Sequence, residues 1–127
     1  MTTTTNIRKF GTFAVIAAII NSVIFLIGKS ADATMVVNQG GSQEIALPMV
    51  IASTLFGLMV AAFIASRIGI RSQSFQSKSP IIGLIFGIVT AAAPFSASDD
   101  SKTALTLASM HIVAGVTWYL GVKRSTK

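Results

Sequence analysis

The sequence predicts an all-α membrane protein, a bundle of four transmembrane helices with both termini in the cytoplasm. Of its 127 residues, 52% are hydrophobic and only 11% are charged, with a mean hydropathy of +0.73. A soluble domain of this size is far less apolar. Four apolar stretches are each close to the roughly 20 residues that a helix needs to cross the hydrocarbon core. The charges between these stretches are unevenly placed, which sets the orientation.

The four spans are expected at 10–28, 45–66, 80–97 and 103–122, in one integral membrane domain covering 1–127. Pro80 suits the first turn of the third helix, and Pro94 marks its end. After the first span, Ala31-Asp32-Ala33 resembles a signal-peptide cleavage site. The apolar run before it is longer than the roughly 7–15 residues of a signal-peptide core, so we expect an uncleaved span.

The basic residues divide unequally between the two sides of the membrane. Of the ten Lys and Arg residues, only Lys29 and Lys102 fall on the side that also carries all the acids. The others flank the first span, connect the second to the third, or follow the fourth. By the positive-inside rule, this bias places both termini in the cytoplasm, and we expect a multi-pass protein of the plasma (inner) membrane. The net charge of +6 therefore indicates topology and contact with the lipid bilayer, and we expect no nucleic-acid partner.

Small residues recur at four-residue spacing in the second and third spans. Membrane helices associate by close packing of such residues, because lipid is as apolar as leucine. The candidate packing positions are Gly57, Ala61, Ala65, Gly83 and Gly87. They predict contacts either within one compact bundle or, alternatively, in a homo-oligomer or against an unknown membrane protein partner.

One polar layer is predicted in the half of the membrane away from the termini. At about 1.5 Å per residue, the single histidine, His111, lies some 12 Å below the start of the fourth span. Asn21, Ser53, Thr54 and Thr90 lie at about the same depth. An unpaired ionisable group there costs on the order of 2–3 kcal/mol. Inward-facing partners, Asn21 above all, would let a neutral His111 form hydrogen bonds. The layer then either fixes helix register or forms a hydrated site for a small solute, ion or proton.

Asp99 and Asp100 directly precede the fourth span and are candidate caps. A carboxylate there accepts hydrogen bonds from free N–H groups and meets the positive end of the helix. Ion binding by the two carboxylates is the alternative.

The residues offer little for catalysis. The chain has no cysteine, and His111 has no obvious nucleophile, intramembrane carboxylate or second metal ligand with which to form an active site. We therefore expect no catalytic residues, no metal, no haem or other cofactor, and no enzymatic activity.

Several of these residues together resemble a family of uncharacterised four-helix integral membrane proteins, mainly actinobacterial. Its ending has a proline turn, an acidic residue, Thr or Ser, and then Leu-x-x-Met-His. The matching positions here are Asn21, Pro48, Pro94, Asp99 or Asp100, Thr103, Leu107, Met110 and His111. The family is a domain of unknown function, so the resemblance implies the topology and a pairing of Asn21 with His111, and no activity.

Two hypotheses for function follow. The first is a non-enzymatic accessory or scaffold subunit, or a self-associating bundle. The alternative is a small transporter or channel that uses Asn21, Thr90 and His111. Two known four-span classes do not fit, because small multidrug exporters need a glutamate in the first span and dual-orientation fluoride channels have a weak charge bias.

Overall fold

The computed structural model describes residues 4–126, which form helices and one short hairpin. The elements are α1 Ile7–Ser30, β1 Val36–Asn38, β2 Ser42–Glu44, α2 Leu47–Arg71, α3 Gln73–Thr90, α4 Ala93–Ala97 and α5 Ser101–Ser125. Within this part of the chain, four segments are long and apolar enough to cross a membrane, namely α1, α2, α3 together with α4, and α5. The predicted fold class of four helical spans is confirmed.

The third helix begins earlier than its apolar run. α3 starts at Gln73, so Pro80 lies inside the helix. The prediction that Pro80 begins this helix is wrong. Ser72 is both the last cap of α2 and the first cap of α3, and its hydroxyl accepts a hydrogen bond from the Phe75 N–H at 3.2 Å. This side-chain cap starts the helix in a polar stretch where hydropathy gives no signal. At the other end α3 stops at Thr90, and a two-residue turn leads into α4.

The helices pack in the spatial order α2, α1, α5, α3. α1 lies between α2 and α5, and α5 lies between α1 and α3, whereas α2 touches α3 and α5 only sparsely. The contact face of α2 carries Leu58, Ala62 and Ala65, which are buried with Phe10 and Ala14 of α1. The bundle is therefore left partly open between α2 and α3.

The closest helix contact joins α3 to α5. A Cβ atom added to Gly87 would lie 2.6 Å from the Cα of Gly115, and one added to Gly83 would collide with the indole of Trp118. The indole Nε1 donates to the Ser79 carbonyl at 2.8 Å. Two of the predicted packing residues, Gly83 and Gly87, thus allow the backbones of α3 and α5 to approach each other.

The end of the bundle that carries both termini, here called the terminal end, is closed by polar contacts. The Asn6 N–H donates to the Ser125 carbonyl at 2.8 Å. Gln76 is 4% exposed, and its Nε2 donates to the hydroxyls of Thr5 and Thr126, both at 3.2 Å. These bonds fasten the two ends of the chain to α3.

At the opposite end, here called the hairpin end, Asp100 fastens the first loop to α5. Its carboxylate caps α5 and accepts from the Thr103 hydroxyl at 2.6 Å and from the Thr34 N–H at 2.9 Å. The Thr103 hydroxyl in turn accepts from the N–H of Met35, a fully buried residue with a φ of 56°. Asp99 is exposed and forms no hydrogen bond or ion pair with residues 4–126, so the cap is Asp100 alone.

The hydrogen bonds from Thr103 and Thr34 lower the pKa of Asp100 from an ordinary value of 3.8 to about 2. A carboxyl whose pKa is lowered by folding contributes stability above its unfolded pKa, and this contribution is lost as the pH falls through its folded pKa. The melting temperature is therefore expected to decrease between about pH 4 and pH 2. Asp100→Asn should melt at a lower temperature at neutral pH and lose this part of the pH dependence. Asp99→Asn is the matched control and should behave as the native protein.

Gly87→Ala should destabilise the bundle by about 1–3 kcal/mol, the usual cost of forcing extra atoms into a packed contact. Gly57→Ala is the matched control, because a Cβ added at Gly57 meets no atom within 4 Å. Unfolding in a denaturing detergent, followed by tryptophan fluorescence, measures both. Equal stability of the two variants would contradict the α3–α5 contact described above.

Candidate functional site

A cleft lies where α2 and α3 fail to pack, and it has two adjoining parts. The polar cavity, toward the hairpin end, has a volume of about 520 Å³, and the apolar groove, nearer the terminal end, has about 370 Å³. The two parts share Ser53, Thr54, His111 and Ala114. Both volumes fall in the range of about 300–1,000 Å³ that is usual for small-molecule sites.

The polar cavity is lined from three sides without any charged residue. Gln39 and Gln43 of the hairpin stand at its mouth, Asn21 of α1 and His111 of α5 line it deeper, and apolar side chains such as Met49 complete the wall. A lining of amide, imidazole and apolar groups suits a ligand that forms hydrogen bonds and carries no charge.

Asn21 is 3% exposed, and only part of its amide is satisfied. Its Nδ2 donates to the Thr54 hydroxyl at 3.1 Å, which links α1 to α2. Its Oδ1 has no donor among residues 4–126. A buried acceptor without a partner costs about 1–3 kcal/mol, so this oxygen is a cost that the fold carries behind the cavity wall.

His111 lies in the cleft with its side chain exposed, and it forms no hydrogen bond to the described residues. The pairing with Asn21 that the sequence and the family resemblance implied is therefore not formed. His111 faces the gap beside α3, whereas the amide of Asn21 turns to Thr54 on α2. Both residues nevertheless line the polar cavity.

The remaining hydroxyls of the predicted layer bond within their own helices. Ser53 donates to the Val50 carbonyl at 3.3 Å, and Thr90 donates to the Phe86 carbonyl at 2.8 Å. Of the five residues predicted for the layer, only Asn21 and Thr54 join two helices. The layer surrounds the cleft and does not fill it.

Gly57 and Ala61 lie on the wall of the apolar groove and are exposed, whereas Ala65 is buried. The predicted packing role of Gly57 and Ala61 is thus not met within this bundle. α2 is rotated so that Leu58 and Ala62 face α1, which turns most of the small-residue stripe toward the cleft. Trp118 and Gly83 line the same groove from α5 and α3.

Two hydroxyl groups of the predicted layer, those of Ser53 and Thr90, are not bonded to His111. They donate to backbone carbonyls. Within residues 4–126, no group of three His, Cys, Asp or Glu residues could hold a metal ion. What the cleft presents to a ligand is one imidazole, the polar side chains at its mouth and a long apolar wall.

Sequence reasoning missed the loop contacts at the hairpin end and the residues at the mouth of the cavity. The Asp100–Thr103–Met35 connection had only a cap signal at Asp100, and no pattern pointed to the loop backbone as its partner. Gln39 and Gln43 at the cavity mouth gave no signal beyond their place in a turn-rich loop.

Comparison with known proteins identifies a family but no activity. No curated protein and no solved structure matches the chain. One family model matches residues 2–127 and confirms the resemblance to uncharacterised proteins. The chain belongs to the Family of unknown function (DUF6069).

Proposed function

We propose that this protein acts by binding and not by catalysis, as an accessory component of the plasma membrane whose cleft receives another constituent of the bilayer. The observation that carries the proposal is the open groove along Gly57 and Ala61, where a Cβ on Gly57 would meet nothing. Atoms that line an empty groove lose their dispersion contacts on that side. A groove open to the hydrocarbon region is therefore expected to hold a lipid, a partner helix or a helix of a second copy.

The state of His111 supports a non-enzymatic role. A general base must lie within hydrogen-bond reach of the proton it removes, and a nucleophile is activated by bonding to such a base. His111 has no such partner among residues 4–126, and the hydroxyls of Ser53 and Thr90 are bonded to their own helices. The side chain is free to bind a group brought in from outside.

The alternative of a solute path has less support. The polar lining stops near His111, and toward the terminal end the bundle is filled by a core that includes Phe10, Leu58, Trp118 and Val122. The bonds of Gln76 to Thr5 and Thr126 close that end further. The polar groups thus lie in a pocket that is closed toward the terminal end.

The placement of charges supports termini in the cytoplasm. Arg67 and Arg71 lie in the last turns of α2, and Lys123 and Arg124 lie in the last turn of α5, all at the terminal end. The hairpin end holds Asp100 and the pair of Lys29 Nζ with Glu44 at 3.5 Å. Most basic residues lie at one end and the acidic residues at the other, which follows the positive-inside pattern.

Introduced cysteines test this orientation, because the native chain has none. In intact cells, Ser42→Cys in the hairpin is expected to react with a membrane-impermeant maleimide. Ser77→Cys in α3, also exposed, should react only after the cells are opened. The reverse pattern would contradict the proposed orientation.

Filling the groove tests the proposed binding role. Ala61→Leu places a large side chain on the groove wall, whereas Ala52→Leu makes the same change at an exposed position of α2 that lines neither part of the cleft. Native mass spectrometry of protein extracted in a mild detergent is expected to show a bound mass on the native chain. Ala61→Leu should lose most of that mass, and Ala52→Leu should keep it.

The bound mass also distinguishes the kinds of partner. A doubled protein mass indicates self-association, a different protein mass indicates a scaffold role, and a small increment indicates a lipid-like ligand. Retention of the same bound mass by Ala61→Leu, or no bound mass on any variant, would contradict the proposed function.

A further inference from the structure

We infer that the cleft binds an uncharged, single-chain amphiphile with a hydroxyl-bearing head group, of the monoacylglycerol type. Its head lies in the polar cavity beside Asn21 and His111, and its chain lies in the apolar groove. This inference rests on the proposed function, since it names the class of bilayer constituent that the cleft receives.

The two parts of the cleft are ordered as a lipid is ordered in one leaflet. The polar cavity opens toward the hairpin end, where Gln39 and Gln43 stand at its mouth. The apolar groove continues from His111 toward the middle of the spans, along Gly57 and Ala61. A lipid in the leaflet on the hairpin side has its head and chain in the same order, so it can enter sideways between α2 and α3 without turning over.

The imidazole of His111 lies in the polar cavity without a hydrogen-bond partner among residues 4–126. A hydroxyl group can donate to the unprotonated ring nitrogen of a neutral imidazole and can also accept from its N–H. A saturated hydrocarbon or an ester without a hydroxyl could not donate the first of these bonds.

The absence of charge among the residues that line the polar cavity selects an uncharged head. Burying an ionised group without a partner of opposite charge is strongly unfavourable. No Asp, Glu, Lys or Arg lines either part of the cleft, so a carboxylate or phosphate head would enter without a counter-charge. Glycerol-type hydroxyls form the same hydrogen bonds without this cost.

The acyl chain of the ligand contributes to the fit more than to the affinity. An acyl chain gains little by moving from lipid to a protein groove, because the two surroundings are equally apolar. The groove admits the chain because Gly57 and Ala61 leave space that a larger side chain would fill. Selection among lipids therefore depends on the head group, which the test below varies separately from the chain.

Trp118 provides a direct probe, since it is the only tryptophan and lines the groove. Protein in detergent is titrated, at low mole fraction, with a monoacylglycerol that carries a dibrominated chain, and bromine quenches an indole only at close contact. Saturable quenching that unbrominated monoacylglycerol reverses is expected. Ala61→Leu should abolish the saturable part, and Ala52→Leu should retain it.

The head group is tested with variants and with matched ligands. His111→Ala should raise the ligand concentration that gives half-maximal quenching by about threefold to tenfold, which is the effect of one lost hydrogen bond. Asn21→Leu should weaken binding less than His111→Ala does, because the Asn21 amide acts on the cavity wall through Thr54. His111→Ala, at an exposed position, remains informative if Asn21→Leu does not fold. The same brominated chain on a carboxylate head above neutral pH, or on a phosphate head, should bind at least tenfold more weakly.

The outcomes separate this inference from the proposed function. Three results would contradict the proposed ligand class. They are equal quenching in Ala61→Leu and Ala52→Leu, an affinity of His111→Ala equal to that of the native protein, and a preference for charged head groups. If no saturable quenching occurs but native mass spectrometry shows a bound protein that Ala61→Leu loses, the cleft binds a helix and only the ligand class is wrong. If both measurements fail, the proposed function falls as well.

Discussion

The contact between Gly87 of α3 and Gly115 of α5 is the constraint on which the rest of the structure depends. The two backbones meet with no room for a Cβ, so α3 is held close to α5. On the opposite side α2 is held to α1 through Ala62 and Leu58. In a bilayer no hydrophobic force closes the remaining gap, since lipid satisfies an apolar helix face as well as another helix does. The cleft is the consequence of where close contacts are possible and where they are not.

The sequence predicted the four spans because a helix that crosses the hydrocarbon core needs a long apolar run, and hydropathy records such runs directly. The start of α3 was missed for the same reason. The stretch from Gln73 to Pro80 is polar, and its helical state depends on the Ser72 side-chain cap, a local signal weaker than the proline that seemed to begin the helix. The GxxxG spacing of Gly83 and Gly87 was informative because close backbone approach leaves few other residue choices.

The sequence predicted how deep the site residues lie in the membrane, but not which way each of their helices faces. A fixed rise per residue placed Asn21, Thr54 and His111 in one layer, and all three do line the polar cavity. The sequence does not show how each helix is rotated about its axis, because both faces of a membrane helix are apolar. For that reason His111 was expected to meet Asn21, and Gly57 was expected to meet another helix. The free Asn21 Oδ1 and the open groove both result from the rotations that the structure adopts.

The openness of the groove in a lipid bilayer is the central claim, and the oxygen accessibility of a spin label measures it most directly. A nitroxide attached to Ala61→Cys, in protein reconstituted into bilayers of a simple phosphatidylcholine, reports how often dissolved oxygen reaches that position of α2. A label at Ala52→Cys, which is exposed outside the cleft, is the reference. Collision rates at Ala61 within about twofold of those at Ala52 are the expected result if α2 and α3 remain apart along the groove. At one protein copy per vesicle, a collision rate near zero at Ala61 with normal access at Ala52 would mean that α2 packs against a helix of its own bundle there, and it would contradict the account.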